Sequence, residues 1–451
     1  MAPVWLGKPG RMASLACVVA AMLSGCSTGN LLSRLDPTPS PHERYTTSLR
    51  GANLHETALG RDWLQAGDAA FATALAVPMP FRETGYFPIE PSAVAYRFEL
   101  QRGRRLVVDV GFESLPPGSL FVDLFERRDG EPPERVASLA EGVTLTYDVA
   151  RDGVYLLRVQ PELMRSGRFT IVQRTFASLA FPVSGLTAAA VQSEFGMARD
   201  AGRREHEGID IFAKLGTPVV AVKDGRADAD TNGLGGNVVW LRESSRSGRR
   251  FYYAHLDRWA FDGTASVRAG DVLGYVGNTG NARTTSPHLH FGIYERGAVD
   301  PLPFVRRDDP TPAAVDGLDG LAERVRVSAA RTAVLDGAGT NAAVARQLDR
   351  AAVVRVLGVT RSFLRVAIPD GTTGYISSSA TRPVGAALRQ QRLNAGEVLR
   401  ERPLDNAPAV TVLADAVQVK VLGQFGAYLL VTVPSVGEGW VKTSELIRKL
   451  S

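Results

Sequence analysis

The chain has 451 residues, of which 45% are hydrophobic and 22% are charged. This length predicts roughly two to four domains, and the composition excludes a chain that is largely disordered. The formal net charge is only +5, which does not argue for nucleic acid as a partner. The two cysteines, Cys17 and Cys26, both lie near the N-terminus, so the folded part has neither a disulfide framework nor a cysteine metal site. Any metal must be held by His, Asp or Glu.

Residues 1–25 are typical of a secretory signal peptide, with two basic residues, an apolar run and then small residues. Residues 23–26 read LSGC and resemble a bacterial lipobox, which implies cleavage before Cys26 and lipidation of its sulfur. An ordinary cleaved signal with a chance cysteine is the alternative. Acyl chains on Cys26 predict a lipid anchor in a membrane. Ser27, by resemblance to Gram-negative lipoproteins, favours the outer membrane, with the protein facing the periplasm.

The region that follows Cys26 is predicted to contain first a tether and then short helices. Residues 27–41 are rich in Ser, Thr, Pro and Gly and predict a stiff tether. Apolar residues at near-helical spacing between Leu54 and Leu75 predict one or two short helices, which the prolines after them end. We assign the lipidated cysteine, the tether and the helices to residues 26–80.

Residues 81–176 have short alternating runs of apolar and polar residues, with turn residues about every ten positions. This pattern predicts an antiparallel β-sandwich. The expected strands include residues 96–100, 106–110, 120–125 and 155–159. The region resembles the bacterial pre-peptidase C-terminal domain by pattern alone, and it has no catalytic constellation.

Two C-terminal segments align at a constant offset of 65 residues, as in VRVLG at 354–358 and VKVLG at 419–423. A repeat of fixed period means that one small unit is used twice. The pattern resembles bacterial Src-homology-3-like (SH3-like) domains, which implies two small β-barrels at 321–384 and 385–451 after a linker at 307–320. Such modules often bind cell-wall peptides. Spacers or packing partners are the alternative reading, because the fold serves many functions.

Four of the six histidines lie between positions 206 and 290. His206 and Asp210 are four residues apart, and His288 and His290 are two apart. In extended segments each pair would lie on one face. A strand ending in His-x-His that faces a strand with His-x-x-x-Asp offers nitrogen and oxygen ligands for a tetrahedral zinc site with one position left for water. Either motif alone is a weak signal, and the two reinforce each other. The fourth histidine is His255.

Residues 181–304 resemble the lysostaphin-type, or LytM-type, family of zinc peptidoglycan endopeptidases. The matching motifs occur in the family's order, and they are HEGID at 206–210, GTPV at 216–219, GGN at 235–237, YAHL at 253–256, GDVLG at 270–274, GNTG at 277–280, PHLHF at 287–291 and DP at 300–301. The resemblance implies a catalytic domain with an antiparallel β-sheet, which we place at residues 177–306. The whole chain is thus expected to be mainly β and multidomain, with short N-terminal helices.

The resemblance also implies roles for residues. His206, Asp210 and His290 would bind one Zn²⁺, and His255 and His288 would be an uncoordinated catalytic pair. We assign His288 as the group that takes a proton from the attacking water and returns it to the leaving amine. His255 would stabilise the oxyanion or orient the water, although the two histidines can exchange these roles.

These residues predict a zinc metalloendopeptidase that hydrolyses the peptide cross-links of bacterial peptidoglycan in cell-wall remodelling or cell separation. The expected partners are stem peptides and cross-links, and the membrane through Cys26. One alternative is a regulatory LytM-domain lipoprotein that binds the wall and activates a separate amidase, with an amidase or divisome protein as partner. Another is a structural wall tether in which zinc only stabilises the fold. A further hypothesis, which the sequence does not decide, is that the β-sandwich lies across the catalytic groove and restrains the enzyme. Gly292 departs from the family, which commonly carries Glu there, and this bears only on local packing.

Overall fold

The computed structural model describes residues 38–245, 248–315, 321 and 323–443. The predicted signal peptide, Cys26 and most of the tether lie outside the described residues. The described part is mainly β, as predicted. None of its helices is long and apolar enough to cross a membrane.

The helical region has two α-helices, α1 (Pro41–Gly51) and α2 (Ala58–Ala72), which a short 3-10 turn joins. The helical region begins at Pro41, whereas the sequence pattern predicted that it would begin at Leu54. Ser40 and Glu43 form a capping box at the start of α1, and proline is favoured in the first helical turn because its fixed φ suits a helix. The Trp63 indole of α2 donates to the carbonyl oxygen of Pro161 at 2.8 Å, so the helices pack on the region that follows.

Residues 75–177 form nine strands in two layers. The strands are β1 (Leu75–Ala76), β2 (Phe81–Phe87), β3 (Val94–Leu100), β4 (Arg104–Ser114), β5 (Leu120–Arg127), β6 (Glu134–Ser138), β7 (Thr144–Asp148), β8 (Gly153–Pro161) and β9 (Gly167–Ala177). One sheet has the order β1-β3-β8-β5-β6, and β2-β9-β4-β7 lie in the other. Alternate residues such as Leu106, Val108, Leu157 and Phe169 are fully buried, because side chains alternate between the two faces of a strand.

The predicted catalytic region contains a ten-stranded antiparallel sheet and a separate short hairpin. Its elements are β10 (Val191–Ser193), β11 (Ala198–Arg199), β12 (Arg204–Glu205), β13 (Ile209–Phe212), β14 (Pro218–Val220), β15 (Gly225–Asn232), β16 (Gly236–Glu243), β17 (Arg250–Trp259), β18 (Thr264–Val267), β19 (Val272–Val276), β20 (His288–Tyr294), β21 (Ala298–Val299) and α3 (Leu302–Val305). The main order is β10-β13-β20-β17-β16-β15-β18, and β11 pairs with β12. A core cluster that includes Ile211, Phe251, Leu289 and Phe291 lies within this region.

The two C-terminal segments are one structural unit used twice. The first consists of β22 (Arg324–Val327), β23 (Arg331–Leu335), β24 (Val344–Asp349), β25 (Val353–Val359), β26 (Phe363–Ala367), β27 (Thr373–Ser377) and β28 (Thr381–Pro383). The second consists of β29 (Arg389–Leu393), β30 (Val398–Arg400), β31 (Ala409–Val412), β32 (Val417–Phe425), β33 (Tyr428–Val433) and β34 (Gly437–Lys442). The 65-residue offset holds in the strand register, since Val356 pairs with Val366 and Val421 pairs with Val431. The likeness to SH3-like domains stays a prediction.

The first repeat is joined to the sandwich, although the catalytic region separates them in the chain. β2 pairs with β25 through Thr84–Val359 and Gly85–Gly358, so the two regions share one eleven-stranded sheet. Beside this seam, the buried Glu83 carboxylate accepts a hydrogen bond from Arg365 Nε at 2.8 Å. This seam helps to explain why the described residues from Ser40 onwards form one compact unit.

The second repeat docks through the equivalent face. Gly423, Leu430 and Trp440 stand 65 positions after Gly358, Arg365 and Tyr375. Leu430 and Trp440 pack in one buried cluster with Val353 of the first repeat. Each repeat therefore uses the same face to pack on the part of the protein that precedes it, and the face is polar in the first repeat and apolar in the second.

Candidate active site

Strand pairing brings the two sequence motifs together. β13 and β20 are antiparallel neighbours in which Asp210 lies opposite His290 and Phe212 lies opposite His288. Because side chains two apart share a face, these four side chains lie on one face of the sheet. Two expectations about the backbone are wrong. His206 precedes β13 in a loop rather than sharing an extended strand with Asp210, and His-x-His begins β20 rather than ending a strand.

Three donor atoms converge at the predicted metal site. His206 Nε2 lies 3.0 Å from Asp210 Oδ1 and 2.9 Å from His290 Nδ1, and His290 Nδ1 lies 3.0 Å from Asp210 Oδ1. Around a tetrahedral zinc ion with bonds of about 2.0–2.1 Å, neighbouring ligand atoms would be about 3.3 Å apart. The three atoms are thus within a few tenths of an ångström of that arrangement.

The protonation states of His206, Asp210 and His290 are suited to binding a cation. His206 Nδ1 lies 2.8 Å from the carbonyl oxygen of Glu194, and a carbonyl only accepts, so Nδ1 carries a proton, and Nε2 presents a lone pair whenever the ring is neutral. Burial alone would raise the pKa of Asp210, but hydrogen bonds and charges from His206 and His290 outweigh it and hold that pKa well below its usual range. Burial lowers the pKa of His290. An ionised carboxylate and imidazole nitrogens are the ligands that zinc takes.

The remaining two histidines lie beside this cluster. The His255 and His288 rings are 5.0 Å apart, and their Nδ1 atoms lie 2.9 Å from the carbonyl oxygens of Thr279 and Ser286 respectively. Both Nδ1 atoms therefore donate, and both Nε2 atoms are lone pairs when the rings are neutral. Burial, and next the neighbouring His288, lower the pKa of His255 to about 4, so His255 is neutral at pH 7.

His255 is held by the glycine-containing motifs around it. Its own backbone has a φ of 63°, a left-handed conformation that a residue with a side chain rarely adopts and that marks local strain. The Thr279 hydroxyl accepts from the Asn237 amide at 3.0 Å and donates to the carbonyl oxygen of Leu256 at 2.8 Å. A Cβ on Gly236 would lie 2.2 Å from that hydroxyl. The GGN and GNTG motifs thus support the loop that orients His255.

Two further glycines make room for the ligands. A Cβ on Gly208 would lie 2.8 and 2.9 Å from Cε1 and Nε2 of His290, so this position in HEGID admits no side chain without moving a predicted ligand. A Cβ on Gly292 would lie 2.9 Å from the Tyr294 ring. The Tyr294 ring thus occupies the space beside Gly292, the position where the family commonly carries Glu.

All five predicted site residues line one cleft of about 590 Å³. Sequence reasoning missed Arg199, Ser193, Glu207, Tyr252 and Tyr294, which line the same cleft. Tyr252 lies edge-on to the ring of His290 at 5.9 Å, and the Tyr294 hydroxyl donates to Glu207 at 3.2 Å. Ser193 and Arg199 lie before His206 in a stretch with no recognised motif, so no signal in the sequence marked them. Glu207 lies within HEGID and Tyr252 directly precedes YAHL, so their positions beside these motifs could have indicated them.

The sandwich contacts the catalytic region away from this cleft. Arg104 donates to the carbonyl oxygens of Arg306 and Arg307 at 2.8 and 3.1 Å, and Arg102 pairs with Glu295 at 2.7 Å. The cleft lining runs only from Gln192 to Tyr294. Within the described ranges, the sandwich therefore does not lie across the groove as hypothesised above.

Comparison with known proteins shows what this region is similar to. Residues 204–301 match peptidase family M23. The glycyl-glycine endopeptidase ALE-1 of Staphylococcus capitis is 38% identical over 108 residues, which are 22% of this chain and 29% of that protein. The L-Ala--D-Glu endopeptidase of Bacillus subtilis (strain 168) is 35% identical over 141 residues, which are 28% of this chain and 43% of that protein. The chain thus spans less than half the length of either relative.

A solved structure is also similar to part of the chain. The catalytic domain of the antimicrobial peptidase lysostaphin from Staphylococcus simulans is 30% identical, with a TM-score of 0.22, over 28% of this chain and 90% of that one. The family match covers all five predicted site residues together with strands β13, β17 and β20. These similarities support a peptidase family M23 domain at residues 204–301.

Proposed function

We propose that the protein is a zinc metalloendopeptidase that hydrolyses peptide cross-links of bacterial peptidoglycan. The observation that carries the proposal is the convergence of His206, Asp210 and His290 at 2.9–3.0 Å beside two further histidines in one cleft. Two of the matched relatives are named as endopeptidases, which supports the same class of reaction. The regulatory alternative is not favoured, because all five residues that a catalytic site of this class needs are present together.

His206 Nε2, Asp210 Oδ1 and His290 Nδ1 would hold the zinc ion. When bound, zinc supplies Lewis acidity that lowers the pKa of a water and polarises a carbonyl group. The cleft beside these residues would place the scissile peptide bond next to the Nε2 atoms of His255 and His288.

The tautomers of the histidine pair restrict their roles. Each ring donates its Nδ1 proton to a backbone carbonyl, so a neutral ring offers only a lone pair at Nε2. One histidine, assigned as His288, accepts the proton of the attacking water and then donates it to the leaving amine. His255, which is neutral at pH 7, has no Nε2 proton for an oxyanion, and its role is to orient the water. Of the two roles that the sequence analysis gives His255, we therefore propose orientation of the water and not stabilisation of the oxyanion.

The test is to incubate the unlipidated chain from Ser27 onwards with purified sacculi, with and without a chelator, and to identify the released fragments by mass spectrometry. We expect chelator-sensitive conversion of cross-linked peptides to monomers, and the masses name the bond. The matched control is His288→Ala, which should keep its zinc and lose cleavage. Intact cross-links after incubation with wild-type protein that contains zinc would refute the proposal.

We further propose that the enzyme acts from a lipid anchor at Cys26 in the outer membrane, facing the periplasm. The LSGC sequence at 23–26 supports this. Cys26→Ser should shift the protein from the membrane fraction to the soluble periplasmic fraction, whereas the wild-type protein should carry the acyl mass on its first residue. An unmodified N-terminal cysteine in the mature protein would contradict the anchor.

A further inference from the structure

Arg199 contacts the predicted metal ligands from outside the ligand set. Its Nη2 atom donates to Asp210 Oδ2 at 2.6 Å, and the Arg199 side chain is 29% exposed. Sequence analysis assigned it no role. A charge-assisted bond of this length belongs to the strong class of hydrogen bonds, so the contact fixes the carboxylate.

The two oxygens of Asp210 have separate partners. Oδ1 faces His206 Nε2 and His290 Nδ1, each at 3.0 Å, whereas Oδ2 is taken by Arg199. A carboxylate whose second oxygen is held in this way is presented to a cation through one oxygen only. The guanidinium thereby sets the direction from which Asp210 approaches the site.

The same guanidinium nitrogen reaches a second ligand through Ser193. Arg199 Nη2 also donates to Ser193 Oγ, and that oxygen lies 3.3 Å from His206 Nδ1. The proton on His206 Nδ1 is directed mainly to the Glu194 carbonyl oxygen at 2.8 Å, so Ser193 Oγ receives only a second, weaker branch of that bond, and its own proton points to Met197 Sδ at 3.7 Å. Arg199 is thus linked to two of the three ligand residues.

A short ladder of backbone hydrogen bonds connects the segment of Arg199 to that of His206. β11 and β12 pair through Arg199 and Arg204, and next to them Gly196 and Met197 exchange backbone hydrogen bonds with His206 at 2.8 and 2.9 Å. Arg199 and the ligand His206 therefore belong to one short ladder. An Arg side chain suits the position because its planar group carries several donors in fixed directions, which Lys does not.

We propose that Arg199 is a positioning residue of the metal site, which holds Asp210 as a one-oxygen ligand and, through Ser193, orients His206. This inference rests on the proposed function, because it presumes that the three ligands bind zinc. Partners that orient metal ligands typically change metal affinity or activity by about 10-fold to 100-fold when they are removed.

The test measures zinc affinity rather than cleavage. The chain from Ser27 onwards and its variants are titrated with zinc in competition with a chromophoric chelator, and their Tm values are recorded with and without zinc. We expect Arg199→Ala to raise the Kd for zinc about 10-fold to 100-fold and to shrink the zinc-induced rise in Tm, with the metal-free Tm unchanged. Arg199→Lys should recover part of the affinity, because it keeps the charge and one donor. Ser193→Ala should have a smaller effect.

Arg226→Ala is the matched control. The Arg226 side chain is 70% exposed and pairs with Asp228 at 4.0 Å, outside the cleft. We expect it to bind zinc as the wild type does. The inference is overturned if Arg199→Ala keeps the wild-type Kd, or if it lowers the metal-free Tm as much as the zinc-bound Tm, since the residue would then serve the fold alone. Zinc-loaded wild type that leaves sacculi intact, with weakened zinc binding in Arg199→Ala, would refute the proposed function and support this inference.

Discussion

Asp210 and Glu83 are two buried carboxylates with different kinds of neighbours. The Asp210 side chain is 11% exposed and that of Glu83 is not exposed at all. Glu83 accepts hydrogen bonds from Tyr96 at 2.7 Å, Arg365 Nε at 2.8 Å and Tyr375 at 2.5 Å. Burial, and then the Glu83 charge, raise the pKa of both tyrosines, so each phenol keeps a proton to donate.

Asp210 instead faces imidazole nitrogens of His206 and His290. When the His206 ring is neutral, the nitrogen beside Asp210 Oδ1 is a lone pair, because the proton of that ring is on the other nitrogen and bonded to Glu194. A buried carboxylate that is surrounded by donors is satisfied, and Glu83 accordingly joins two regions of the protein. A buried carboxylate that converges with imidazole nitrogens is suited to binding a cation together with them. The type of neighbouring atom, not burial, separates a structural carboxylate from a ligand.

Among these variants, Asp210→Ala should cause the largest loss of cleavage. It removes one of three donors and with it the bound zinc, so we expect cleavage of sacculi to fall by at least about 10³-fold, as when one member of a catalytic unit is lost. Zinc content should fall to background, while the metal-free Tm stays near that of the wild type. Wild-type zinc content in this variant would show that Asp210 is not a ligand.

Glu83→Ala should have the opposite profile. It leaves the Arg365 charge buried without its partner, which costs about 3–5 kcal/mol in the free energy of unfolding, whereas the Kd for zinc should not change. Denaturant unfolding and the chelator competition measure the two quantities. The double variant Glu83→Leu with Arg365→Leu is the control, and it should regain part of the stability, because the unpaired charge is removed although the Tyr96 and Tyr375 hydroxyls still lose their acceptor. A single variant as stable as the wild type would contradict the structural role.

Gly208→Ala tests whether the ligand geometry is as tight as the distances indicate. The new methyl group would lie 2.5 Å from the carbonyl oxygen of Phe291 and 2.8 Å from the His290 ring, so the ring must shift. We expect cleavage to fall by up to about 100-fold, the cost of displacing a catalytic group by about 1 Å. Gly297→Ala, at a position with nothing within 4 Å, is the control. Equal activities of the two variants would mean that the His290 ring can shift without loss of cleavage.

Tyr375→Phe should have the smallest effect. It removes one of the donors to Glu83 and leaves the ring in place, so we expect a loss of about 1.5–3 kcal/mol in the free energy of unfolding, the range for hydrogen bonds to charged groups. Tyr428→Phe, whose hydroxyl donates to Asp405 near the surface, should cost less. A loss in Tyr375→Phe as large as that in Glu83→Ala would mean that the tyrosine, and not the ion pair, dominates this contact.

The repeats show how far a sequence pattern extends. The 65-residue offset predicted a unit used twice, and the offset holds in strand register. Yet Arg365 and Leu430 occupy equivalent positions, and one meets Glu83 while the other packs near Val353. The pattern describes the interior of each repeat, because that packing recurs. The docking face depends on the neighbour, which differs between the two copies.

The sequence by itself determined the features that depend on local spacing: the mainly β fold, the short helices before it, the internal repeat and the five residues of the predicted site. Period-two alternation and motif spacing express contacts within a strand or between adjacent motifs. The tertiary structure decided which atoms meet. It placed His206 in a loop, aligned Asp210 with His290, and brought Arg199 to the ligands. It also joined Glu83 to Arg365 across 282 positions. Hydrogen-bond direction and buried charge pairing depend on partners that are distant in the chain, and local spacing carries no information about them.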